Sequence, residues 1–246
     1  MIEVQDLWKC YNEHTVLKGL NLTISKGETL VIIGRSGVGK SVLLKHIIGI
    51  EKPDKGSIIV NGVEITSLSG KKLYASIKNM GMLFQGGALF DSMNIEDNTA
   101  FYLTQHSTLP RSEIKDRVDE ALTMVNLADT QKKMPSELSG GMRKRAAMAR
   151  LIVYKPEILL YDEPTSGLDP ITSMQINELI IKIQTELAAT SIVVTHDIAS
   201  AMSIGNRIAL LHPGGDIAHI DAKEHFQETD NPLVRAFFMH YTPTSS

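Results

Sequence analysis

The chain has 246 residues, 43% hydrophobic and 22% charged, with a formal net charge of -3; this length suits one α/β unit with an inserted subdomain, and the balance gives no footing for nucleic acid. The single cysteine, Cys10, excludes an internal disulfide and a multi-cysteine metal site and fits a reducing compartment. The longest apolar runs fall far short of the ~20 residues that span a bilayer, so no transmembrane helix is expected, and Met1 to Leu7, carrying Glu3 and Asp6, is not expected to act as a secretory signal.

In chain order, Leu20, Leu22 and Ile24 alternate with Asn21, Thr23 and Ser25, the period of a strand with one buried face. Leu30 to Ile33 is continuously apolar, as is a central strand covered on both faces. Leu43, Leu44, Ile47 and Ile48 follow at helical spacing. Ile58 and Val60, then Val63 and Ile65, flank Asn61-Gly62, which predicts a type I′ hairpin and hence antiparallel strands in the first quarter. Ile114, Val118, Ala121, Leu122 and Val125 form one face of an amphipathic helix in an inserted lobe. A second helix is predicted from Ser139-Gly140-Gly141 to about Tyr154, stopped by Pro156, with Arg143, Lys144 and Arg145 read as a solvated face. Ile158 to Tyr161 and Ile192 to Val194 read as further central strands, and Thr242 to Ser246 as a polar, frayed tail.

The chemistry sits where the three central strands end. Gly34, Arg35, Ser36, Gly37, Val38, Gly39, Lys40 and Ser41 match the phosphate-binding pattern G-x-x-x-x-G-K-[ST] between a strand and a helix. Such a loop wraps phosphates with backbone N–H groups at a helix N-terminus; Lys40 is expected on the β and γ oxygens and Ser41 on Mg²⁺. Asp162 and Glu163 close the next strand, Asp162 to hold the Mg²⁺ shell and Glu163 to orient or deprotonate the attacking water. His196 closes the third, in a strand expected beside the phosphate-loop strand, where an imidazole senses the γ-phosphate. The other histidines, including His14, His46 and His240, lack such a setting.

Leu138-Ser139-Gly140-Gly141-Met142 closely resembles the LSGGQ signature of ABC ATPases. The resemblance extends over nearly the whole chain: Tyr11 in an adenine-stacking A-loop, Gln85 in a Q-loop, Ser166-Gly167-Leu168-Asp169 in a D-loop, and His196 as the switch histidine. It departs from the family pattern at Met142, where glutamine is usual. The resemblance implies an α/β P-loop NTPase fold with a RecA-like core, an antiparallel β subdomain and an inserted α-helical lobe. One domain is implied over residues 1–241, with core and β subdomain at about 1–90 and 155–225 and the lobe at about 91–154.

The resemblance also implies ATP and Mg²⁺ as cofactors, Glu163, His196 and Gln85 as catalytic, and Ser41, Gln85 and Asp162 about the metal. Tyr11 and residues 34–41 would hold the nucleotide, and Ser139, Gly140, Gly141 and Asp169 would complete the site of a second copy in a head-to-tail dimer.

Phe84 to Asn98, Leu138 to Arg145 and Asp169-Pro170-Ile171-Thr172 resemble the Mla-type ATPases that serve Mce-protein lipid transporters. That likeness implies phospholipid or related cargo, an integral permease, an Mce-type binding protein, and a place on the cytoplasmic side of the inner membrane. The alternatives are an ABC subunit for amino acids or another polar solute, and a non-transport ABC ATPase. The latter resembles proteins with a long coiled-coil insertion or two ATPase units in one chain, neither of which is evident here.

Overall fold

The chain opens with antiparallel strands β1 (Ile2–Tyr11) and β2 (His14–Ile24), followed by the short strand β3 (Thr29–Ile33) and helix α1 (Lys40–Ile47). β4 (Lys55–Val60) and β5 (Val63–Glu64) turn at Asn61-Gly62, whose φ angles of 48° and 81° are the positive pair a type I′ turn requires. α2 (Gly70–Ile77) and β6 (Met80–Leu83) lead into α3 (Ile95–His106), α4 (Arg111–Met124) and α5 (Gly140–Ile152). The chain returns through β7 (Ile158–Asp162), α6 (Pro170–Leu187), β8 (Thr190–Thr195), α7 (Ile198–Ile204), β9 (Arg207–Leu211) and β10 (Ile217–Ala222), then α8 (Lys223–Phe226) and α9 (Pro232–Tyr241). The computed structural model describes residues 1–241; the tail read as frayed lies outside the described residues.

Two sheets result. One is antiparallel, in the order β2-β1-β4-β5; the other runs β10-β9-β3-β8-β7-β6 and is parallel except for β10. The central strands β3, β7 and β8 are buried at every position, which explains the continuous apolar runs Leu30 to Ile33, Ile158 to Tyr161 and Ile192 to Val194 within them. Side chains alternate across this sheet. Leu30, Ile32, Leu160, Ile192 and Val194 join α1 and the antiparallel sheet in one core, while Val31, Ile33, Leu159, Tyr161 and Val193 join α4, α5 and α6 in another.

α3, α4 and α5 form the inserted lobe. On α4 the predicted face is the buried one: Val118, Ala121 and Leu122, with Val125 at the helix end. In the lobe, α3 and α5 are capped by short polar side chains: Asn94 accepts from the Asp97 amide at 2.8 Å, and Ser139 from the Met142 amide at 3.3 Å.

Two readings are corrected. α5 ends at Ile152 rather than Tyr154, whose ring instead stacks on Tyr102 of α3 with centroids 4.1 Å apart. The basic run is not a solvated face: Arg143 is exposed, but Lys144 is 8% exposed and donates its ammonium to the Gln85 carbonyl. A helix turns about 100° per residue, so adjacent cations cannot share one environment.

Candidate nucleotide site

β3 delivers the chain into the phosphate loop, and α1 begins at its end. No side chain caps α1, so the N-terminal N–H groups face the loop's mouth. Gly39, immediately before α1, has φ 111°, and a Cβ there would stand 2.7 Å from Val16 Cγ1; only glycine allows β2 to lie this close to the loop. Lys40 is 5% exposed, and its ammonium donates to the carbonyls of Gly34 at 2.8 Å and Arg35 at 3.1 Å.

The carboxylates arrive on β7. Asp162 Oδ1 accepts from the Ser41 hydroxyl at 2.7 Å, and Glu163 Oε1 lies 3.3 Å from Lys40 Nζ. Burial pushes the Asp162 carboxyl above its ordinary value, against the opposing Ser41 hydrogen bond and with the charge of Glu163 adding to the rise. The serine oxygen and this buried acid are hard oxygen donors of the kind Mg²⁺ takes, and a cation is what would offset the cost of charging the acid.

Glu163 leaves β7 with φ 47°, a left-handed conformation that costs a non-glycine residue roughly 1–2 kcal/mol. Its amide donates to the Val194 carbonyl of β8 at 2.9 Å, which ties the turn to the neighbouring strand. His196, just past β8, places Nδ1 2.9 Å from Glu163 Oε2. The expected adjacency holds, since β8 pairs parallel with β3 from Thr29 to Ile33. With Nδ1–H donating to the carboxylate, Nε2 is the ring nitrogen left for a ligand.

These groups border a cavity of about 500 Å³, with Ser36, Gly37 and Ser41 on one side, Glu163 and His196 on another, and Tyr11 and Gln85 at its rims. The Tyr11 hydroxyl donates to Glu51 at 2.6 Å, and the Gln85 amide donates to Ser166 Oγ at 3.3 Å. Val38 and Arg35 turn elsewhere: Val38 packs in the core, and the Arg35 side chain lines a separate cavity with Pro213 and Phe237.

Ser166 of the D-loop lines this cavity, but the signature residues and Asp169 are not brought to it. Ser139 and Gly140 are exposed at the N-terminus of α5. Gly141 is buried where a Cβ would stand 2.6 Å from Thr172 Cγ2, so a side chain here would push α5 off α6. Asp169 caps α6, accepting from the Thr172 amide at 3.0 Å and hydroxyl at 2.5 Å, and these bonds hold its carboxyl below the usual range.

Two residues around the site escaped sequence reading, Val16, which backs the phosphate loop, and Glu51, while Lys144 was read only as part of a solvated face. Ser166 belonged to a recognised motif without a role of its own. Burial pushes the Lys144 ammonium down in pKa, opposed by the charges of Asp162 and Glu163.

Residues 17–166 match the ABC transporter family. The chain is 44% identical over 236 residues to the probable ribonucleotide transport ATP-binding protein mkl of Mycobacterium tuberculosis, covering 96% of this chain but 66% of that protein. It therefore spans just under two thirds of that relative. It is 38% identical over 237 residues to the intermembrane phospholipid transport system ATP-binding protein MlaF of Escherichia coli, covering 96% of this chain and 88% of that protein. Among solved structures, a dimeric ATP-binding cassette in a post-hydrolysis state bound to ADP and Pi superposes with a TM-score of 0.83 at 31% identity, covering 91% of this chain and 99% of the other.

Proposed function

Because the chain belongs to the ABC transporter family as one of its ATPase cassettes, we propose that it is the ATP-hydrolysing motor of a transporter that moves phospholipids or related lipids between membranes. It acts as a head-to-tail pair with an integral permease and an Mce-type binding protein, held through the permease on the cytoplasmic face of the inner membrane. The core and β subdomain, at about 1–90 and 155–225, carry the nucleotide, and the lobe at about 91–154 carries the signature.

The observation that carries this reading is the split between the two sets of residues. Lys40, Ser41, Glu163 and His196 line one cavity, with Asp162 bonded to Ser41 beside it, while Ser139 and Gly140 are exposed outside it. Two-fold symmetry joins the two halves twice, with Ser139, Gly140, Gly141 and Asp169 of each chain closing over the partner's nucleotide. The dimeric solved relative supports this arrangement.

Within the site, Tyr11 stacks on adenine, and residues 34–41 cradle the phosphates at the N-terminus of α1. The Lys40 ammonium exchanges its loop carbonyls for phosphate oxygens. Ser41 and Asp162 would hold Mg²⁺, with Gln85 beside it, and the ion would supply positive charge against that developing on the phosphate. Glu163, freed from Lys40, takes the proton of the attacking water, and His196 orients the carboxylate through Nδ1 while Nε2 meets the γ-phosphate.

A cavity of about 220 Å³ beside the Q-loop, lined by Phe84, Ala88, Phe101, Tyr102, Arg150 and Tyr154, is the docking place for a permease helix. Its apolar rings suit the buried face of such a helix. The lipid cargo rests on the relative named for phospholipid transport and on the residues around Gln85 and Met142. The relative named for ribonucleotide transport favours a polar cargo instead.

Purification of the chain from its native membrane in mild detergent tests this. A permease with an Mce protein and bound phospholipid supports the lipid reading; a permease with a soluble binding protein for a polar solute replaces it and leaves the motor assignment standing.

A further inference from the structure

Tyr11 ends β1 at the tip of a hairpin and is 40% exposed, so nothing in the strand itself fixes its ring. Its surroundings do. Glu51, four residues beyond the end of α1, accepts from the Tyr11 hydroxyl at 2.6 Å and pairs with Lys9 Nζ at 3.2 Å. Lys9 also donates to the Lys52 carbonyl at 3.1 Å, and its ammonium stands 5.2 Å from the centre of the Tyr11 ring. One ring face is therefore occupied by a cation, and the face left for a base is the other.

Glu51 is itself anchored to the helix that carries the phosphate loop. Its amide donates to the Lys45 carbonyl at 3.2 Å, and the Ile50 amide donates to the same carbonyl at 2.9 Å. The remaining cation contact, Asp54 at 3.5 Å from Lys9, is steadied by the Cys10 amide, which donates to Asp54 at 2.6 Å. The cluster thus links the hairpin tip to the C-terminal end of α1 through the side chains of Tyr11, Lys9, Glu51 and Asp54 together with backbone bonds.

We infer that Glu51 is a positioning residue for the adenine end of the site, fixing the Tyr11 ring at a set distance from the phosphate loop so that one rigid unit measures base and triphosphate together. Protonation agrees. Burial, with the Glu51 hydrogen bond and charge, raises the Tyr11 phenol to about 12, and the phenol donor with Lys9 holds the Glu51 carboxyl below the usual range. The donor–acceptor pair is therefore intact throughout the neutral range. A hydrogen bond to a charged acceptor restrains a two-torsion side chain at little entropic cost, which is how preorganisation favours binding.

The inference rests on Tyr11 stacking adenine, and the test separates the two. Affinities of the full-length protein for Mg·ATP and for magnesium tripolyphosphate, which has no base, are compared across variants. Glu51→Ala is expected to weaken ATP roughly threefold to tenfold while leaving tripolyphosphate unchanged, and Glu51→Gln, which keeps an acceptor oxygen, to recover most of the loss. Tyr11→Phe should match Glu51→Ala, and the double variant should be no worse than either alone.

An unchanged ATP affinity in Glu51→Ala overturns the positioning role, and if Tyr11→Ala still weakens ATP, the stacking reading survives. Equal losses for ATP and tripolyphosphate in Glu51→Ala overturn it in favour of an effect on α1. A Tyr11→Ala variant that binds ATP normally removes the stacking reading and the inference with it.

Discussion

Glu163 holds two partners at once: Oε2 lies 2.9 Å from His196 Nδ1, and Oε1 lies 3.3 Å from Lys40 Nζ. The carboxylate, 12% exposed at its side chain, is the hinge between the phosphate loop on β3 and the histidine beyond β8. In the proposed mechanism, a group in this place would link the arrival of phosphate at Lys40 to the orientation of a base beside His196.

Replacing that carboxylate by an amide tests its chemistry. Glu163→Gln keeps the size and a hydrogen-bonding oxygen but not the base, so ATP binding should persist while turnover falls by roughly 10²- to 10⁴-fold. Steady-state phosphate release read against nucleotide affinity checks it, and a variant that turns over normally would remove Glu163 from the base role.

The composite site has its own test. Ser139→Arg puts bulk and a guanidinium at the exposed start of α5, away from the chain's own cavity. ATP should still bind each chain, while the two-ATP dimer fails to close and turnover drops by about 10²-fold, as for loss of a preorganised phosphate donor. Size-exclusion chromatography with ATP in the Glu163→Gln background reads closure, and an undiminished dimer counts against sharing of the site.

Asp162 yields a pH dependence. Burial raises its carboxyl, so the group contributes stability that is fully present below its unfolded-state value of ~4 and is lost as pH rises through the higher folded-state value. At neutral pH the nucleotide-free protein carries the cost of the buried charge. Asp162→Asn should therefore melt at a higher temperature than the parent near pH 7, the gap closing as pH falls towards 4, while losing Mg²⁺-dependent turnover. A gap that widens in acid would contradict the sign.

Lys144 ties the signature helix to the Q-loop by donating to the Gln85 carbonyl from a buried position. Lys144→Met keeps the stem and removes the donor, leaving that carbonyl unpaired, which costs about 1–3 kcal/mol. If the Q-loop is mispositioned, turnover should fall about tenfold with ATP affinity within about twofold. Unchanged turnover would confine Lys144 to packing.

Much of the site was legible because its parts are contiguous. Residues 34–41 form one unbroken stretch running from the loop into α1, and Asp162, Glu163 and His196 lie at the ends of apolar runs that read as covered strands. Glu51 and Lys144 were not legible. Glu51 sits in a polar stretch with no pattern, and Lys144 sits between two other cations that suggested a solvated surface. Arg35 belonged to the right loop, yet it meets Lys40 through its carbonyl and lines a separate cavity.

The sequence by itself marked the candidate chemistry: a strand–loop–helix suited to phosphate, two carboxylates and a histidine at strand ends, and a signature ahead of the second strand. These are local patterns, written by neighbours a few residues apart. Only the tertiary structure decided which partners meet. The order β9-β3-β8-β7 sets His196 against Glu163 and Glu163 against Lys40, and it leaves Ser139 outside the cavity. Contacts across 121 residues, such as Ser41 with Asp162, depend on strand order and register, which no local pattern encodes.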